Sequence, residues 1–209
     1  MHNTPMVGAV WSHIPGYEER GNCRTCNTIE SMEHILTTCN ATPVSQIWDL
    51  AKSFWPHNPA HWPEINLGII LGSGCLTTPE EALDQENQEN EERVVPLKKR
   101  GAVRLLQILV SEAAHLAWVL RCERVIQELT HTPQEIKARW SKAINRRLTD
   151  DKLTATQIKR SPPFTYLVEA TWEDLLRKFS DLPHEWIHNR EVLVGSRADP
   201  AWPIEGPLL

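Results

Sequence analysis

Four side chains able to ligate a borderline-soft metal ion stand close together near the start of the chain. They are Cys23, Cys26, His34 and Cys39, in the pattern Cys-x2-Cys-x7-His-x4-Cys. Two cysteines separated by two residues sit on one tight turn, where both thiolates reach a common ion about 2.3 Å away. His34 falls in the stretch 31–38, long enough for about two helical turns, with Ser31 as its N-cap. Cys39 follows at the frayed end and can swing to the fourth corner. Cys3His is a tetrahedral set for structural zinc, and four protein ligands leave no open position for water. The expected cofactor is therefore one structural Zn2+, whose binding supplies folding free energy to a small module. The chain has five cysteines, an odd count that suits a reducing compartment better than a disulfide framework. Cys75 and Cys122 read as plain thiols.

A second candidate chemistry is electrostatic. Between Lys137 and Arg160 there are eight bases and only two acids. Arg139, Lys142 and Arg146 are three or four apart, so they share a helix face, with Lys137 and Arg147 beside them. A clustered positive strip of this kind can hold a nucleic-acid backbone through counterion release. The whole chain carries a net charge of −5 and exerts no such pull globally. Arg24, beside the first zinc ligand, is a further candidate contact. The loop Asn27-Thr28-Ile29-Glu30 contains no aromatic residue, so bases cannot stack within it. A zinc that only holds the fold, in a module that contacts protein, is the competing reading. Enzyme chemistry finds little support. Ser111 and His115 are four apart on one helix with no third group, and His57 and His61 stand among prolines without a carboxylate at a motif spacing.

The elements that must position these groups follow from periodicity and punctuation. Residues 1–20 form an irregular arm around Pro15-Gly16, with Trp11 and Tyr17 in it to pack on something. Thr42-Pro43 reads as an N-cap followed by proline at the first helical position, and Val44, Ile47, Trp48, Ala51 and Phe54 predict a helix over 43–55. Residues 65–72 are apolar and β-branched, giving a short buried strand or an extended packing segment. From Glu80 to Glu92 there are seven acids and no base, a composition that predicts a disordered linker. Helices are then expected at 102–129, from the capping box Thr132-Pro133-Gln134-Glu135 onward, and at 164–180, with a short turn at 184–188. Most of the nine tryptophans fall at apolar helical phases and read as core anchors. The resulting fold class is mainly α. A small zinc-knuckle N-terminal module (1–75) is joined by an acidic linker (76–100) to a helical C-terminal part (101–195), with a loose tail (196–209). No apolar run approaches the roughly 18 residues of a membrane span, and residues 1–20 have no signal-peptide core. The expectation is an intracellular protein, nuclear or cytoplasmic, with no membrane partner.

The block Cys23-Arg-Thr-Cys26-Asn-Thr-Ile-Glu30-Ser-Met-Glu-His34-Ile-Leu-Thr-Thr-Cys39, followed by Ile47-Trp48, resembles the zinc-binding domain downstream of the reverse transcriptase and ribonuclease H regions in non-LTR retrotransposon polyproteins. Flanking text is similar to the fungal type: Trp11-Ser-His-Ile-Pro-Gly-Tyr17 before the knuckle, and Ser111 to Arg124 and Trp140 to Arg146 after it. The resemblance spans about residues 9–195. It implies RNA or DNA as partner, a nuclear location, and other domains of the parent polyprotein as neighbours if the chain is a fragment. The enzymes of such polyproteins have no counterpart in the sequence. Asp150-Asp151 follows Leu148-Thr149 at the end of a basic helix, the wrong setting for a polymerase Asp-Asp turn. The linear acids of 80–92 do not form the carboxylate cluster on a sheet that two-metal hydrolysis requires.

Overall fold

A computed structural model describes residues 7–195, apart from 42, 77–95, 158–161 and 180. Among these residues it is mostly helical, with five α-helices and one two-stranded hairpin: β1 (Asn22–Cys23), β2 (Thr28–Ile29), α1 (Val44–Ser53), α2 (Leu67–Leu71), α3 (Leu97–Gln127), α4 (Pro133–Gln157) and α5 (Pro162–Phe179). Short 3-10 turns fill Gly8–His13, Glu18–Gly21 and Trp186–His188.

Helix α3 organises the rest. Its 31 residues span about 46 Å at 1.5 Å per residue. Leu105, Leu106, Leu109, Ala113, Leu116, Ala117 and Leu120 recur every three or four residues, and all are buried. The helix begins at Leu97, five residues before the expected start, so Lys98, Lys99 and Arg100 are helical rather than linker. Nothing in Val95-Pro96-Leu97 delays it, because proline is tolerated at a helix start. The acidic run 80–92 lies outside the described residues. By length and composition α3 is long and apolar enough to cross a membrane, which corrects the expectation that no such stretch exists. In this fold its buried apolar side chains pack mainly on α1, α4 and α5, while Leu97 and Ile126 stay exposed.

Gly101 marks the tightest of these contacts. A Cβ there would lie 2.2 Å from the Ala170 carbonyl oxygen, so α5 crosses α3 at backbone distance. Above the crossing, Arg104 donates two hydrogen bonds of 2.7 Å to Asp151, whose carboxylate also accepts from Trp172 Nε1 at 2.7 Å. One buried carboxylate thus ties α3, α4 and α5 together.

The expected division at 76–100 does not divide the core. Ile35, Leu36, Ile47 and Phe54 from the N-terminal stretch and Leu106, Trp140, Ile144 and Trp172 from the C-terminal one share a single hydrophobic cluster. Phe54 meets Trp140 edge-to-face, with centroids 5.7 Å apart. Four of the expected anchors, Trp48, Trp55, Trp140 and Trp172, are buried, and Trp118 is half-buried.

Three local expectations change. Pro43 is the N-cap of α1, not its first helical residue, and Thr42 lies outside the described residues. The 65–72 segment holds the short helix α2. The Asn66 side chain accepts from the Ile69 N–H at 3.0 Å, a cap that outweighs β-branched propensity over one turn. Helix α5 starts at Pro162. The α4 capping box is present: Glu135 N–H donates to Thr132 Oγ1 and Thr132 N–H donates to the Glu135 carboxylate. The tail from Ser196 lies outside the described residues.

Candidate metal centre and basic groove

The first two ligands sit on the hairpin. Asn22 pairs with Ile29 and Cys23 with Thr28. Asn27 takes a left-handed conformation (φ 53°) and donates its N–H to the Cys23 carbonyl at 2.8 Å. That closes the turn and folds Cys26 back toward Cys23. Asparagine suits this position because its short polar side chain tolerates left-handed backbone.

The other two ligands come from the segment that follows. Ser31 Oγ accepts from the His34 N–H at 3.1 Å, as expected of an N-cap. From His34 to Thr38 the winding is π rather than α. Cys39 follows five residues after His34, which in an α-helix would lie about 140° round the axis. The wider i→i+5 winding brings position 39 back toward the face of position 34. Backbone then leaves the helix at Cys39 (φ −70°, ψ 119°).

One ligand atom from each of Cys23, Cys26, His34 and Cys39 lies within 4.8 Å of the others. Cys23 Sγ and Cys39 Sγ are 3.8 Å apart. Two thiolates at 2.3 Å from a tetrahedral zinc would be about 3.8 Å apart. His34 Nδ1 is 3.2 Å from Thr38 Oγ1, while its Nε2 is buried without a hydrogen-bond partner. That is the arrangement of a metal-bound imidazole whose second nitrogen is held by a neighbour. Cys26 Sγ accepts from the Asn40 N–H at 3.3 Å, and this backbone donor is the main cause that lowers the Cys26 thiol below its ordinary pKa. The residues fit one metal ion, and the donor set matches zinc.

Glu30, beside the knuckle, has a role the sequence did not disclose. It is 1% exposed. Its carboxylate accepts from Arg121 at 2.5 Å and from Arg124 at 2.8 Å, both on α3. Only the fold could show this, because the partners are 91 and 94 residues away. Arg24, a candidate nucleic-acid contact, instead pairs with Glu19 at 3.0 Å in full solvent.

The basic strip is brought together in part. Arg139, Lys142, Arg146 and Arg147 line a groove of about 640 Å³ between α3 and α4, with Leu116, Val119 and Ala143 as its apolar lining. Lys137 does not line it. Arg139 donates to both oxygens of Glu123, at 2.5 and 2.7 Å, which raises its own pKa and lowers that of Glu123. Arg139 is therefore part of a bidentate pair, not the free surface cation expected. Arg147 faces Glu112 at 3.5 Å. Lys142 is exposed, and Arg146 is 81% exposed with Asp150 only within 4.0 Å. Lys152, counted with the strip, is buried and donates to the Asn189 and Val192 carbonyls, so burial lowers its pKa.

Other candidates stay apart from chemistry. Ser111 Oγ donates to the Ile108 carbonyl. His57 has a carboxylate near it after all, Asp174 of α5 at 3.9 Å. In the arm, Trp11 and Tyr17 pack on each other at 6.0 Å, and Arg20 lies over both rings. No protein-family model, curated protein or solved structure matches the chain significantly.

Proposed function

We propose that this chain is a non-catalytic nucleic-acid-binding module of retroelement type, in which zinc has a structural role. The observation that carries the proposal is the α3–α4 groove, where the exposed cations Lys142 and Arg146 stand side by side on one helix face. The closed ligand set Cys23, Cys26, His34 and Cys39 supports the structural role of the metal, since four protein donors fill a tetrahedral ion. Lys142 and Arg146 would contact phosphates. Arg139 and Arg147, held by Glu123 and Glu112, would position the strip rather than bind.

A second reading has an observation of its own. Two of the four groove cations are already neutralised from within. A mixed-charge groove over an apolar floor also suits a protein partner. Salt separates the two. Binding of the zinc-loaded chain to single-stranded RNA or DNA should weaken linearly with log salt, and K142Q/R146Q should flatten that slope by about 1.4, at about 0.7 per lost phosphate contact on a single strand. Unchanged slope and affinity in the double variant would remove the groove from the proposal.

A further inference from the structure

The knuckle loop has no aromatic residue, yet the fold supplies one beside it. Residues 8–21 of the arm fold back so that Gly21 lies against Gly8, where an added Cβ would meet the Gly8 carbonyl oxygen at 2.9 Å. The Gly21 carbonyl in turn accepts from the Glu30 N–H at 2.9 Å. Arg20, one residue earlier, places its guanidinium 4.7 Å from the Tyr17 ring centroid and 5.4 Å from that of Trp11. Two further backbone bonds fix this stack, from Tyr17 N–H to Ile14 and from Arg20 N–H to Tyr17, each 3.0 Å. Tyr17 remains 45% exposed.

Against the stack lies a polar cavity of about 190 Å³. Arg20, Asn22, Arg24 and Arg124 line it, together with Glu19, Glu30 and Glu128. Its three guanidiniums are matched by three carboxylates, so it has no excess charge to hold a phosphate backbone. It holds instead hydrogen-bond donors and acceptors in near-equal number, with Glu30 already shared by Arg121 and Arg124 and Glu19 by Arg24, and Arg20 is the side chain that joins it to the aromatic stack. A base edge needs both kinds of partner, and unpaired bases stack on aromatic rings and on arginine planes. The Glu19–Arg24 pair is 84% and 81% exposed and opens at little cost.

We infer that the Tyr17–Arg20–Trp11 stack and the adjoining cavity form a subsite for one unpaired nucleobase. The inference rests on the nucleic-acid reading above and deepens it: the α4 strip holds backbone, and the arm selects single strands. In a duplex the base faces are already stacked, and the platform has nothing to engage. The phosphate strip and the platform then differ in their response to salt. Stacking releases no counterions, whereas each phosphate contact does.

The test uses the full zinc-loaded chain and a fluorescein-labelled 12-nucleotide DNA strand, alone and as its 12-base-pair duplex, by anisotropy over a salt series. Tyr17→Leu keeps apolar bulk and removes the ring. It should weaken single-strand binding about 5- to 150-fold, the range of one lost base stack, with duplex affinity changed less than twofold and the salt slope intact. Tyr17→Phe should bind as the parent does. Zinc content, equal in all three proteins, reports that the knuckle is folded. Equal single-strand affinity in Tyr17→Leu and the parent overturns the platform, while a flattened slope in K142Q/R146Q would leave the backbone strip standing. Equal weakening of strand and duplex by Tyr17→Leu also overturns it, because the site would then not select unpaired bases. Absence of binding by the parent chain to either probe removes both proposals.

Discussion

Replacing Glu30 by alanine should destabilise the whole chain, not the knuckle alone. The carboxylate is 2% exposed in its side chain and is shared by Arg121, itself 4% exposed, and Arg124, 22% exposed. Removing it strands Arg121 in the core with no counter-charge, and the Nε of that guanidinium has no partner even in the intact protein. Arg124 can turn toward water, so the loss falls mainly on one ion. Breaking a buried pair from one side costs about 3–5 kcal/mol. In a chain of this size each kcal/mol moves the melting temperature by about 2–4 °C, so the expected fall is roughly 6–20 °C. Thermal unfolding followed by circular dichroism, with zinc and reductant present, measures it. Replacing both partners tests the cause: E30A/R121M leaves no charge unpaired and should recover more than half of the loss. A Glu30→Ala protein within 1 kcal/mol of the parent would refute the reasoning, as would a double variant less stable than the single one.

Two further outcomes follow from the same contacts. The purified chain should carry one zinc per molecule by elemental analysis, and Cys39→Ser should lose it. Because Cys23 and Cys39 belong to the common core, Cys39→Ser should also lower the melting temperature of all the helices; a lost zinc with unchanged helix melting would contradict the shared core. Arg139→Gln should cost about 1–2 kcal/mol at neutral pH, since it removes a bidentate charge-assisted pair that is only partly exposed. Arg139 holds the Glu123 pKa below its ordinary 4.5, so this stability is present above 4.5 and is lost as pH falls through the lowered value. The gap between parent and variant should therefore close in acid; a gap that widens on acidification would show that another contact is responsible.

Spacing alone located the four-residue cluster that could hold a metal because its chemistry is local: all four residues fall within 17 positions, and a tight turn plus a short helical segment suffice to gather them. The π winding of 34–38 was hidden, since no residue type announces it. The helices carrying Leu105–Leu120 and Ile136–Leu148 were legible from their 3.6-residue period, and the α4 start from its capping box. Helix α2 was not, because Ile69-Ile70-Leu71 has strand-like composition and its helical cap is a single asparagine. The basic strip was overcounted for one reason. Sequence shows a charge but not the partner that folding brings to it, and Glu123, Glu112 and the Asn189 carbonyl claim Arg139, Arg147 and Lys152. Glu30 was read only as part of the motif block and Asp151 only as the wrong setting for a polymerase turn, although Glu30 neutralises Arg121 and Arg124 and Asp151 neutralises Arg104.

The tie between Glu30 and Arg121 spans 91 residues, and it sets an order of events during synthesis. At about 5–20 residues per second, α3 leaves the ribosome on the order of 5–20 s after the knuckle. Zinc can gather Cys23, Cys26, His34 and Cys39 at once, since the whole ligand loop is already available. The apolar side of α1, with Ile47, Trp48 and Phe54, must meanwhile wait for its cover. Metal capture by this loop would therefore precede closure of the core, and the nascent chain would pass through a stage with an ordered knuckle and an uncovered hydrophobic helix, the stage at which chaperone engagement or aggregation would compete with folding.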